Sequence, residues 1–370
     1  MTDKEKSALQ KEIVDSLPLN PTGRLILAPR VGKSRIVINI IKKNKPKSIL
    51  WVTPSSQLAT VDIPAEFVKW KATGYSKKLT TVTFASLNKI KGHYEFIIID
   101  EEQKVTLNNF KNLLDKTLTY DYLISMTGTA TKHDDKQELY KKLGLKVLYD
   151  LNINTAVDIG MLANYEINVV EVEMLKDRNI TAGSKENPFL TTEEVNYQYI
   201  HNQTNTAIFQ KRKDMMFRIL HRMRTIYNSP AKLKVAKHLI STLEGKKLVF
   251  CATIKQSEEL CEHTYNSTTD DSNLLAFNED KISIIGMVNS GGIGYTYKNI
   301  DHLILIQSDS DKNGEVCQKI SRSLLQQKDY KATIWIICLM RTQDEKWVAS
   351  ALESFDKKRI NYINFKNLKI

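Results

Sequence analysis

Arg24-Leu-Ile-Leu-Ala-Pro-Arg-Val-Gly-Lys-Ser-Arg35 joins an apolar run, a tight turn and the opening of a helical stretch at 35–41. Strand, turn and helix in that order turn backbone N–H groups and the positive end of a helix toward one point, and Gly32 lets the backbone approach an anion closely. Phosphates suit such a point. Lys33 is placed to neutralise the β and γ phosphates of a nucleotide, and the Ser34 hydroxyl to ligate Mg²⁺, with Arg30 and Arg35 flanking the turn. The glycine six positions before the lysine in the general pattern is replaced by Leu27, so the reading needs a second motif.

Phe96-Ile-Ile-Ile-Asp-Glu-Glu-Gln103 supplies it. An apolar strand that ends in consecutive acids puts them at the carboxyl edge of a parallel sheet, where ligands bind. Asp100 is expected to hold Mg²⁺ through water, and Glu101 to orient or deprotonate the attacking water.

Working outward, short apolar runs at 24–28, 49–53, 81–85, 96–100 and 122–126 alternate with amphipathic stretches. Runs of that length rich in β-branched residues suit buried parallel strands, with crossover helices between them. The pattern returns at 247–252, 282–288, 302–307 and 332–340, which predicts a second α/β unit. Between the two, 167–174 reads as a strand, 176–187 as a polar loop and 209–226 as a helix. In that helix Met216, Ile219, Leu220 and Met223 form an apolar stripe, and Lys211, Arg218 and Arg222 share another face. Two readings stay open there: a packing helix with a solvated basic face, or a nucleic-acid contact. The expected division is a first lobe over 1–155, a linker strand and basic helical insertion over 156–228, and a second lobe over 229–370.

Composition agrees with a folded chain of more than one core: 370 residues, 42% hydrophobic and 26% charged. The net charge of +12 favours polyanionic partners, because each neutralised phosphate releases counterions. The charged start Met1-Thr2-Asp3-Lys4-Glu5-Lys6 lacks the apolar core of a signal peptide, and no apolar run reaches membrane-spanning length. A cytoplasmic protein is expected, in the host cytoplasm if viral. Cys251, Cys261, Cys317 and Cys338 contain no C-x-x-C pair, so neither a zinc site nor a disulfide framework is predicted.

Taken together these residues resemble the superfamily 2 helicases, particularly the compact phage and XPB/UvsW-like members, over nearly the whole chain. Leu9-Gln10-Lys-Glu-Ile-Val14 looks like the family's Q motif, with Gln10 placed to read adenine. Ile49-Leu-Trp-Val-Thr-Pro-Ser-Ser-Gln-Leu58 followed by Glu66-Phe-Val-Lys-Trp70 resembles motif Ia, whose Thr53 and Ser55 would face nucleic-acid phosphates. Val82-Thr-Phe-Ala-Ser-Leu87 resembles the next strand contact, with Thr83 and Ser86, and Ser125-Met-Thr-Gly-Thr-Ala-Thr131 resembles motif III, where Thr127 and Thr129 would link the nucleotide to the bound strand. In the second half, 245–260 resembles motif IV, with Thr253. Met287-Val-Asn-Ser-Gly-Gly-Ile-Gly294 resembles motif V, with Asn289 on the strand and Gly292 near the nucleotide. Gln318-Lys-Ile-Ser-Arg-Ser-Leu-Leu325 resembles motif VI, with Gln318 and Arg322 as catalytic candidates. The motifs share the family's order.

The resemblance implies two tandem RecA-like lobes of the P-loop NTPase type with parallel sheets, plus a small, mostly helical insertion. It implies ATP and Mg²⁺ as ligands, DNA (single-stranded or duplex) or RNA as partner, and lobe closure and reopening that move a strand stepwise. Five positions in three motifs depart from the family pattern. Lys319, Ser321 and Leu325 stand in motif VI where Q-R-x-G-R-x-x-R is usual, which removes the final arginine and leaves Arg341 or Arg35 as substitutes. Gly294 closes motif V, and Gln103 closes the Asp-Glu motif. Slow turnover, or a protein partner that completes the site, is therefore one expectation, and a helicase-fold clamp with little catalysis is the alternative. A single-lobe P-loop phosphotransferase fits poorly with a repeated α/β pattern.

Overall fold

The computed structural model describes residues 2–128, 134–288, 297, 299–307, 316, 319–320 and 331–368. They form two compact units. The first ends at Leu162 and the second begins at Ala163, with Val316, Lys319 and Ile320 grouped with the first.

In the first unit β1 (Gly23–Leu27), β2 (Ile49–Thr53), β3 (Leu79–Thr83), β4 (Gly92–Ile99), β5 (Leu118–Thr127) and β6 (Val147–Leu151) form one sheet. Its order is β3-β2-β4-β5-β1-β6 and every pair is parallel. Four of the five predicted runs overlap strand interiors with shifted ends, whereas the run at 81–85 overlaps only the end of edge strand β3 and continues into the short helix Phe84–Leu87. β4 starts at Gly92 because its first half faces solvent while Phe96–Ile99 is buried. A continuous apolar run thus marks only the part of a strand covered on both faces. β6 was not predicted: as an edge strand it buries Leu151 alone and carries no apolar run.

The second unit contains β7 (Asn164–Val172), the hairpin β8 (Ile180–Gly183) and β9 (Pro188–Thr191), then β10 (Lys247–Cys251), β11 (Thr264–Tyr265), β12 (Ile284–Val288), β13 (His302–Leu305), β14 (Lys331–Leu339) and β15 (Ile360–Asn364). The large sheet has the order β11-β12-β10-β13-β14-β7-β15, again all parallel. The strand expected between the lobes is therefore hydrogen-bonded into this sheet. The expected loop at 176–187 instead contributes β8 to an antiparallel hairpin. Its side chains are largely exposed, so hydrophobic periodicity could not announce it.

Two helices, Glu193–Phe209 and Met215–Tyr227, pack as an antiparallel hairpin. Thr192 caps the first, accepting from Val195 N at 3.2 Å. Arg222, on a face read as either solvated or in contact with nucleic acid, is only 8% exposed and donates to Asn205 Oδ1 at 3.2 Å. Met216 and Leu220 of the expected packing stripe are exposed instead. The helix is rotated from the sequence expectation because Ile226 and Tyr227 anchor its end in the core of the second unit. A fully buried ion pair, Lys232 Nζ to Asp344 Oδ2 at 2.7 Å, ties helix Pro230–Thr242 to helix Gln343–Ala351. Cys251, Cys261 and Cys338 are buried thiols that burial pushes above their ordinary pKa. No described helix is long and apolar enough to cross a membrane.

Candidate nucleotide site

Because the strands of the first sheet are parallel, their carboxyl ends share one edge, and the turns that follow β1, β2, β4 and β5 all open there. The turn after β1 runs through Arg30 (φ +69°) and Gly32 (φ +86°) into helix Lys33–Asn44. Its N-cap, Gly32, has no side chain to cap it, and the N–H groups of a helix start suit an anion. Gln10, buried on helix Asp3–Ser16, donates from Nε2 to Val31 O at 2.6 Å. A Cβ on Gly32 would lie 2.4 Å from that same nitrogen. Glycine is required there twice over, by the left-handed backbone and by the close approach of Gln10.

Of the acids that end β4, each has a different environment. Asp100 is half-buried, but its Oδ1 is covered and has no hydrogen-bond partner among the described residues. Burial, and then the neighbouring Glu101 charge, push its pKa up to about 6 against the pull of Lys33. Glu101 sits in left-handed backbone (φ +53°) and accepts from Lys33 Nζ at 2.6 Å and from Gln103 Nε2 at 2.5 Å. Burial pushes its carboxyl up, but the Lys33 charge and these hydrogen bonds outweigh that and hold it below its ordinary value. Glu102 points elsewhere: it pairs with Arg24 at 2.6 Å and accepts from Ser125 Oγ, all three groups being buried. The Arg24 guanidinium also lies 3.8 Å from the centre of the Tyr140 ring.

Gln103, which departs from the helicase pattern that the sequence resembles, bridges two elements of the first unit. While Nε2 donates to Glu101, its Oε1 accepts from Thr127 Oγ1 at 2.7 Å, so one side chain connects the end of β5 to the second acid. Sequence reading gave Gln103 no role. The available signal was an amide, with both donor and acceptor, where the family carries an acid or histidine. Arg24 was missed likewise, although a charge opening an apolar strand requires a buried partner.

The other candidates are placed as follows. Ser34 is half-buried beside Lys33. Arg35 donates to Ser7 Oγ at 2.9 Å and stacks 4.4 Å from the Trp70 ring centre. Thr53 is fully buried with its hydroxyl unpartnered among the described residues, whereas Ser55 is half-buried and accepts from Leu58 N at 3.3 Å. Thr83 and Ser86 are half-buried and hydrogen-bonded to each other at 3.2 Å. In the second unit Thr253 caps helix Ile254–Leu260, accepting from Gln256 N at 3.2 Å. Thr129, Asn289, Gly292, Gln318 and Arg322 lie outside the described residues.

No protein-family model matches the chain, and no curated protein is significantly similar to it in sequence. Solved structures are similar in fold. The helicase domain of Hef from Pyrococcus furiosus is similar at a TM-score of 0.51 and 10% identity, over 94% of this chain and 98% of that one. S. cerevisiae Dbp5 bound to RNA and ADP BeF3 is similar at 0.53 and 12%, over 96% and 89%. The ATP-dependent type ISP restriction-modification enzyme LlaBIII bound to DNA is similar at 0.58 and 13%, over 97% of this chain and 31% of the LlaBIII chain. At these identities the likeness concerns the fold: two α/β lobes with parallel sheets, the tandem RecA-like architecture of helicase domains.

Proposed function

We propose that the chain is a nucleic-acid-dependent ATPase that works as a helicase or translocase on DNA, with RNA as the alternative strand. The observation that carries the reading is the Lys33–Glu101 contact beside the covered Oδ1 of Asp100, at the sheet edge where helix Lys33–Asn44 begins. Lys33 and the first N–H groups of the helix would take the nucleotide phosphates, and Gln10 would read the adenine. Glu101 would orient the attacking water and accept its proton. Without nucleotide, Lys33 and Glu101 satisfy each other. Phosphates that draw Lys33 away would leave Glu101 held by Gln103 and available to water, so substrate arrival itself would arm the base. Arg322 would stabilise the charge that develops on the γ phosphate.

The residues present fit Mg²⁺: Asp100 offers a buried oxygen with no protein partner among the described residues, and Ser34 a hydroxyl at the helix start. When bound, the ion would neutralise phosphate charge. Asp100 and Ser34 would hold it, Asp100 through water.

Of the candidate hydroxyls in described residues, Ser55, Thr83, Ser86 and Thr253 are half-buried and so reach solvent; contacts of this kind with a sugar-phosphate backbone predict binding that weakens steeply with salt and carries little sequence preference. The reading is tested by ATP turnover with and without polynucleotide. Hydrolysis indifferent to every strand offered would point to a small-molecule phosphotransferase. Tight binding without hydrolysis would point to a clamp.

Asp100 gives a prediction in which stability and function oppose each other. Its folded pKa of about 6 exceeds the ordinary 3.8, so the folded chain holds this proton more tightly than the unfolded one. The carboxylate then costs about 2–3 kcal/mol above pH 6, a cost that fades as pH falls from 6 toward 4. Asp100→Asn is expected to stabilise the nucleotide-free first unit by about 1–2 kcal/mol at pH 7.5, to lose that advantage near pH 4, and to abolish Mg²⁺-dependent hydrolysis. Urea unfolding at the two pH values, with an ATPase assay alongside, checks it. A destabilised variant at pH 7.5 refutes the assignment.

A further inference from the structure

The turn between helices Glu193–Phe209 and Met215–Tyr227 carries an unusual surface. Phe209 is 89% exposed at the end of the first helix, and Met216 and Phe217 are 60% and 66% exposed at the start of the second. Lys211, Arg212 and Lys213 lie between them, all exposed. The turn is well defined: Lys211 N donates to Ile208 O at 3.1 Å and Arg212 N to Ala207 O at 2.9 Å, with Lys211 in left-handed backbone. Asp214, the acid of this turn, is shared by Arg212 at 3.0 Å and Arg218 at 2.9 Å, so it orients guanidinium groups rather than repelling an anion.

An apolar protein partner would bury these aromatics at the cost of desolvating the cations around them. A cationic partner would be repelled. An unpaired nucleic-acid strand matches both features, because it offers base faces to aromatic rings and phosphates to lysine and arginine at a spacing of a few ångströms. We propose that this hairpin tip is a second strand-binding element: a base stacks on Phe209, and Lys211, Arg212 and Lys213 take the flanking phosphates. The proposal rests on the nucleic-acid reading above and adds to it a stacking contact, which the hydroxyls at the sheet edge cannot make.

Titration of the full-length chain against fluorescein-labelled oligothymidylate DNA and oligouridylate RNA tests it. Phe209→Ala is expected to weaken binding of the preferred strand about tenfold. Phe209→Trp should retain affinity, while Phe209→Leu, apolar without a π face, should behave as Phe209→Ala. The triple change Lys211→Gln, Arg212→Gln, Lys213→Gln should flatten the slope of log affinity against log salt by about 2. Thermal melting and hydrolysis without polynucleotide should stay at wild-type levels in all variants, since these side chains face solvent.

Wild-type binding by every tip variant would overturn the hairpin proposal and leave the proposed function standing. Full rescue by Phe209→Leu would replace stacking with a merely apolar contact and overturn it as well. A chain that dimerises in solution and becomes monomeric with Phe209→Ala would assign the tip to a second copy. Failure of the wild type to bind either strand would instead remove the nucleic-acid reading, and this inference with it.

Discussion

Lys33→Ala is expected to lower polynucleotide-stimulated ATP hydrolysis by about 10²- to 10³-fold, the usual consequence of deleting one preorganised charge from a transition-state site. Two losses combine in this variant. The phosphates lose their cation, and Glu101 loses the charge that most lowers its pKa, so that burial is left to push its carboxyl upward. The fold should survive, because Gln103 Nε2 still donates to Glu101 and the pair lies at the sheet edge outside the apolar core of the first unit. Steady-state phosphate release, with circular dichroism as the control for folding, measures the effect. A variant that hydrolyses ATP within a factor of about two of wild type would place the chemistry elsewhere.

Arg24→Ala should have the largest effect on stability. The Arg24–Glu102 pair is buried on both sides and has no exposed route to solvation. Removing the guanidinium leaves a buried carboxylate whose remaining hydrogen-bond partner among the described residues is Ser125 Oγ, with the Lys136 charge nearby, and a broken buried pair of this kind costs about 3–5 kcal/mol. The loss should be confined to the first unit: amide exchange in β1, β4 and β5 should accelerate while β10 and β13 keep their protection. Arg24→Met combined with Glu102→Leu should recover much of the stability, because it removes the orphaned charge together with its partner. Unchanged exchange in Arg24→Ala would show that Glu102 finds another cation.

These two predictions rest on residues of unequal legibility. Lys33, Asp100 and Glu101 could be read from sequence because a strand–turn–helix and a strand ending in acids are local patterns whose chemistry follows from backbone geometry. Central strands such as β2 and β10 were legible for a similar reason, since burial on both faces demands an unbroken apolar run. Edge strands β6 and β15 were not, because one flank of each meets solvent and Ile360–Asn364 mixes Asn and Tyr with Ile. Arg24 and Glu102 are 78 positions apart, and nothing local signals that they meet. Gln103 illustrates the opposite case: its departure from the family pattern was visible, but its meaning appeared only when β5 brought Thr127 to the same edge. Arg222 shows how a helix face is misassigned when the deciding contacts, Asn205 and the core around Ile226, lie on neighbouring elements.

The central claim is that Lys33, Asp100 and Glu101 hydrolyse ATP under the control of a bound strand. It is tested most directly by phosphate release from MgATP as the full-length chain is titrated with single-stranded DNA, duplex DNA and RNA in turn. At least one of them should raise turnover in a saturable manner, with the stimulation shrinking as salt increases and vanishing in Lys33→Ala. A rate that no polynucleotide changes, or that Lys33→Ala leaves intact, would contradict the account.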